Sequence, residues 1–71
     1  MSETTFLVGL GKRVKELRLK SGLTQHQLAI KCNFEKASMS RIESGKTNIT
    51  VLTLRKICEA LGSHMKDYFD F

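Results

Sequence analysis

The chain has 71 residues, 12 of them Lys or Arg and 7 Asp or Glu, for a formal charge of +5 at pH 7. That length holds one domain and excludes a multi-domain enzyme with a deep cleft, because so short a chain buries only about 60% of its unfolded surface. Hydrophobic residues make up 41% and charged residues 27%, an ordinary globular balance, and no apolar run approaches the ~18 residues of a membrane span.

The first predicted helix runs from about Thr5 to Ser21, with Thr4 or Thr5 as its N-cap. Phe6, Leu10, Val14 and Leu17 recur on one face, and Lys12, Glu16 and Lys20 form a row that can pair on the other. Gly9 and Gly11 should weaken its first turns by up to ~1 kcal/mol each. Gly22 marks its end. The second helix begins at Thr24, where Gln27 completes a T-x-x-Q capping box, and it stops at Asn33. Leu28, Ala29 and Cys32 form its apolar face. A third helix spans about Lys36 to Ser44 and ends at Gly45, with Phe34, Met39 and Ile42 turned inward. The fourth starts after Thr50, buries Leu54, Ile57, Cys58 and Leu61, and closes at Gly62. Residues 63–71 allow two further turns, with Ser63 as cap and Met65, Tyr68 and Phe69 on one side. No period-2 alternation competes. The expected fold is all-α: one domain over residues 1–71, a compact bundle of four or five short helices with its core in 6–62 and a helical tail in 63–71.

Charge is unevenly distributed. Residues 1–46 hold nine basic side chains against four acids, whereas residues 47–71 hold three of each. The excess points to an anionic partner on one side of the molecule. Cys32 and Cys58 stand apart, without a C-x-x-C or a paired His, and read as small core residues. His26 and His64 lie 38 positions apart with no third ligand, so no metal site is expected. With no secretory signal at the start, a cytoplasmic protein with free thiols is expected.

About three residues, Asn33–Glu35, join the second and third helices, the spacing of a helix-turn-helix whose second helix enters a major groove. The outward face of that helix carries Lys36 and Arg41, with small Ala37, Ser40 and Ser44 between them. Arg and Lys can bond guanine O6 and N7, Ser can bond either base edge, and an Ala methyl can meet the thymine methyl. The bland alternative is a solvated charged face.

Leu23-Thr-Gln-His-Gln-Leu-Ala29, Ser40-Arg-Ile-Glu-Ser-Gly-Lys46 and Leu54-Arg-Lys-Ile-Cys-Glu-Ala-Leu-Gly62 follow one another in this order. Together they resemble the phage Cro/repressor-type helix-turn-helix family over about residues 6–62, with a lambda repressor-like DNA-binding domain. The small size and Thr47-Asn-Ile-Thr50 further resemble the controller proteins of restriction–modification systems. The resemblance implies that Lys36, Ala37 and Arg41 reach base edges, with Ser40 beside them. It implies backbone contacts by Gln25, Ser38, Lys46, Thr47 and Asn48, and an internal salt bridge between Arg18 and Glu43. Gln25 has the alternative of packing on the third helix. Glu35 departs from the pattern, because similar proteins often cap the recognition helix with Ser, Thr or Asp there.

An enzyme is not expected: the chain has no phosphate loop, nucleophile elbow or useful cluster of His and carboxylates. No cofactor, small-molecule ligand or membrane contact is expected either. The expected partners are operator DNA, a second copy of the chain and RNA polymerase. The tail concentrates aromatic residues, and the near-neutral second half suits a two-fold interface. Thr47–Leu54 and the 63–71 tail are its candidate segments, with Leu54, Met65, Tyr68, Phe69 and Phe71 as the candidate residues. The expected function is a homodimeric, sequence-specific transcription regulator on a near-palindromic operator, a repressor or activator set by its own concentration, as in a restriction–modification controller. The alternatives are a DNA-binding antitoxin, a prophage-type repressor, or a protein-interaction adaptor on the same fold.

Overall fold

The computed structural model describes residues 2–69. Four α-helices follow one another: α1 (Glu3–Lys20), α2 (Gln25–Cys32), α3 (Lys36–Glu43) and α4 (Val51–Leu61), with a C-terminal 3-10 turn at Met65–Tyr68. There is no strand among the described residues, and none of their helices is long and apolar enough to cross a membrane.

The helix starts follow hydroxyl caps. Thr24 accepts from the Gln27 amide while the Gln27 side chain accepts from the Thr24 amide, the full capping box. Thr50 accepts from the Thr53 amide. The start of α1 differs from expectation. Ser2, not Thr4 or Thr5, is the cap, and its hydroxyl accepts from the Thr5 amide. Thr4 and Thr5 therefore lie inside the first turn. Each helix end leads into a left-handed residue: Gly22, Asn33, Gly45 and Gly62. At Asn33 the Phe34 amide donates back to the Ala29 carbonyl at 2.8 Å, which turns the chain sharply from α2 toward α3.

The core is one cluster that includes Leu10 and Val14 of α1, Leu28 and Ala29 of α2, Met39 of α3, Leu54 and Ile57 of α4, and Tyr68. α3 lies against both α1 and α2. Gly11 sits where α1 crosses α3: a Cβ there would collide with the Ile42 carbonyl oxygen and come within 2.6 Å of the Glu43 oxygen. The expected cost of Gly11 to α1 therefore has a return, the close approach of two backbones.

The tail also differs from expectation. It forms a single 3-10 turn after His64, and Ser63 does not cap it. The Ser63 hydroxyl instead bonds the Tyr68 hydroxyl, and Tyr68 is fully buried. Arg13 Nε donates to the Asp67 carbonyl at 2.6 Å and ties the turn to α1. Phe69 stacks on Phe6 with ring centroids 6.3 Å apart.

Candidate nucleic-acid interface

α3 is held by its inner face and free on its outer one. Met39 and Ile42 are buried, whereas Lys36, Ala37, Ser40 and Arg41 are exposed. The four residues expected to meet bases thus share one open surface. Ser38 is half-buried at its edge. Ser38, Arg41, Thr47 and Asn48 line one shallow groove between α3 and the following loop, over a floor that includes Phe34 and Ile49. Lys46 is exposed beside it. The loop's departure is set by Gly45, whose φ of +73° disfavours a side chain and whose absent Cβ would meet the Val8 backbone at 2.7 Å. The Lys46 amide then donates to the Arg41 carbonyl at 2.9 Å, holding the loop to the end of α3.

Gln25 lies at the first position of α2, and with Lys36 and His26 it lines a second hollow at the open end of the two helices. Its amide Nε2 donates to Glu43 Oε1 at 3.1 Å. Packing on α3, the alternative for Gln25, is therefore what the chain alone shows. Arg18 and Glu43 form the internal pair, with Nε–Oε2 at 2.7 Å and Nη2–Oε1 at 3.1 Å. Both are buried, and Arg18 Nη1 also donates to the Leu23 carbonyl. The network joins α1, α2 and α3 behind the exposed face.

The charged row expected on α1 is rearranged. Arg13 is engaged, holding the Asp67 carbonyl and pairing with Glu16 at 3.0 Å. Glu16 is thereby drawn to Arg13 at i−3, and the Lys12–Glu16–Lys20 row does not form. Ser44 turns back to its own helix, donating to the Ser40 and Arg41 carbonyls.

The dimer candidates divide. Leu54 and Tyr68 are buried in the chain's own core, so they have no area left for a partner. Met65 is half-buried against the same core and touches the Cys58 sulfur. Phe69 is exposed, and Phe71 lies outside the described residues. Val51 and Leu52, 73% and 68% exposed, lie within the expected Thr47–Leu54 segment, although neither is among the individual residues expected at the interface. Their signal was there: both fall off the Leu54–Ile57–Cys58–Leu61 stripe of α4. Val51 and Phe69 border an apolar groove with Phe6 and Leu7.

A two-helix unit with a short left-handed connection, a buried inner face and a cationic outer one is the arrangement that the helix-turn-helix pattern demands. Residues 9–65 match the model of the helix-turn-helix domain family. The chain belongs to that family. Among its helix-turn-helix relatives, the control protein C.BamHI of Bacillus amyloliquefaciens is 39% identical over 62 residues, covering 86% of this chain and 76% of the relative. The control protein C.MunI of a Mycoplasma species is 32% identical, covering 87% and 85%. The solved structure of the restriction-modification controller protein C.AhdI from Aeromonas hydrophila superposes with a TM-score of 0.86 at 30% identity, covering 89% and 96%. These likenesses make this helix-turn-helix chain a DNA-binding transcription regulator of the controller type.

Proposed function

We propose that this chain binds a near-palindromic operator as a homodimer and regulates its own synthesis together with that of a restriction–modification system. Lys36, Ala37, Ser40 and Arg41 would read bases. Gln25, Ser38, Lys46, Thr47 and Asn48 would contact the sugar–phosphate backbone. The observation that carries the reading is the exposed face of α3, where two cations and two small residues stand beside a groove lined by Ser38, Thr47 and Asn48. Small side chains let the helix approach base edges, and the cations supply charge and guanine recognition.

Gln25 has a dual role in this reading. One amide end is held by Glu43, so the side chain is oriented before DNA arrives. The first turn of α2 adds free amide groups and a positive dipole end for a phosphate.

Two half-sites about 34 Å apart suit a two-fold dimer. The exposed apolar residues Val51, Leu52 and Phe69, near the start of α4, supply its interface. Regulation would follow protein concentration through the dimer equilibrium, with RNA polymerase blocked or contacted at an adjacent site. Titration of the purified chain into duplexes carrying its own promoter region, against random duplex, tests this reading. Specific binding with an affinity that falls steeply with salt supports it. Equal binding to both duplexes, or none, overturns it in favour of an adaptor role. Stable co-purification with a co-encoded toxin would identify an antitoxin instead.

A further inference from the structure

We propose that Glu35 is a specificity residue whose carboxylate accepts a hydrogen bond from the N4 amino group of a cytosine in each operator half-site. The inference rests on the DNA-binding reading above and adds to it a base that reading leaves unassigned. Glu35 is the N-cap of α3, in extended backbone at φ −74° and ψ 149°, and its side chain makes no cap hydrogen bond. It is exposed and has no ion pair with any described residue. Its backbone carbonyl accepts the first bond of the helix, from the Met39 amide at 3.2 Å, and leaves the side chain uninvolved. The carboxylate is left without a hydrogen-bond or ion-pair partner among the described residues.

Lys36 follows that carboxylate directly in the chain, and Lys36, Arg41 and Lys46 are all exposed. Against a phosphate backbone, an unpaired carboxylate weakens binding to every sequence alike. It becomes useful only where it meets a donor, and the major-groove donors are cytosine N4 and adenine N6. Adenine N6 lies beside the N7 acceptor, which repels a carboxylate; cytosine N4 lies beside a C5–H, which does not. Recognition helices present their N-terminal residues to base edges, which is where Glu35 sits. Glu35 and Arg41 are six residues apart, about 9 Å along a helix axis at ~1.5 Å per residue. At ~3.4 Å per base pair that separation places the cytosine two to four base pairs from the base read by Arg41.

The experiment is selection from a random duplex library with the full chain, Glu35→Ala, Glu35→Gln and Arg41→Ala. Affinities are then measured on the selected site and on versions with the cytosine replaced. Wild type should lose about 5- to 150-fold when that cytosine is changed. Glu35→Ala should lose less than about twofold while keeping every other base preference. Glu35→Gln, which can donate as well as accept, should move the preference toward adenine, a change that a purely structural role for Glu35 would not produce. An unchanged selected site for Glu35→Ala, or a uniform gain on all duplexes, overturns the role of Glu35 and leaves DNA binding standing. A wild-type chain that enriches no sequence, with Arg41→Ala equally inert, overturns the DNA-binding reading itself and this inference with it.

Discussion

Arg18 of α1 and Glu43 of α3 meet inside the protein as a two-pronged ion pair, their side chains 7% and 3% exposed. Each is fully engaged. Arg18 also donates to the Leu23 carbonyl, and Glu43 also accepts from Gln25. The pair therefore links the crossing of α1 and α3 to the first turn of α2, directly behind the proposed DNA face. Removing two charges from water is costly, and only such complete pairing offsets it.

Breaking the pair on one side should destabilise the chain by about 3–5 kcal/mol, because the partner is left buried and unpaired. A domain of this size has only about 5–10 kcal/mol of stability, so Glu43→Ala should lose a large share of it and melt well below wild type. Replacing both residues together, Arg18→Met with Glu43→Leu, should recover most of the loss. Urea titrations of the two single variants and the double variant check this. A single variant within 1 kcal/mol of wild type would show that the pair contributes little.

Gly11→Ala should also destabilise. Ala is favoured over Gly inside a helix by up to ~1 kcal/mol, so propensity alone predicts a gain. The new methyl would instead press on the carbonyls of Ile42 and Glu43, which are backbone and cannot rotate away. Overpacking of this kind costs about 1–3 kcal/mol, and each kcal/mol lowers Tm by about 4–8 °C in a domain this small. A raised melting temperature for Gly11→Ala would contradict the close crossing.

The contrast between Gly11 and Gln27 shows what was legible in the sequence. The capping box of Thr24 and Gln27 is local, and three residues suffice to read it. The same holds for Asn33, Gly45 and Gly62 as helix ends, and for the α2–α3 unit that these signals bracket. Gly11 depends on a helix more than 30 residues away, so its local reading as a weak spot was incomplete. Tyr68 failed for a similar reason. Its place among tail aromatics suggests a surface, but it is fully buried in the core with its hydroxyl bonded to that of Ser63. Arg13 engages the Asp67 carbonyl, 54 residues on, a contact that no local pattern in α1 announces. The outward face of α3 was readable because one helix carries it whole.

Arg41→Ala should cost about 1–3 kcal/mol on cognate DNA and relax one base preference. Lys46→Ala, on the loop beside the groove, should weaken cognate and random DNA alike. It should also reduce the log–log salt slope by about 0.9, the value for one neutralised phosphate. Fluorescence anisotropy across a salt series separates the two. Equal losses of Arg41→Ala on both duplexes would make Arg41 a phosphate contact.

Stability should fall at alkaline pH through Tyr68. Burial pushes its hydroxyl up from an ordinary value of 10.0 to about 12, against a smaller opposing effect of the Ser63 hydrogen bond. The folded state thus favours the protonated tyrosine. Its contribution is whole below pH 10, where both states hold the proton, and is lost as pH rises from about 10 to 12, by about 2–3 kcal/mol. Burial likewise raises the thiols of Cys32 and Cys58, which adds loss of the same sign from about pH 9. Tyr68→Phe should flatten the pH 10–12 portion of a denaturation series and leave the thiol portion. An unaltered slope would mean that Tyr68 does not titrate with unfolding.

Leu52→Glu should dissociate the proposed dimer without unfolding the monomer. Leu52 is 68% exposed and Val51 73%, so the chain alone gains little from burying either. Such residues at one end of a helix, next to half-exposed Phe69, are better explained by a partner surface than by the core. A two-fold axis would bring both copies of a new carboxylate close together, and like charges there repel. Sedimentation at micromolar concentration should show wild type at twice the 8.1 kDa chain mass and Leu52→Glu at the chain mass, with matching thermal melts. Phe69→Asp should act in the same way. Ile30→Glu, also on an exposed apolar residue but in α2, should remain dimeric. On operator DNA the two interface variants should lose the tight two-site complex and keep weak half-site binding. A monomeric wild type would refute the dimer, whereas dimeric Leu52→Glu and Phe69→Asp would move its interface away from the start of α4.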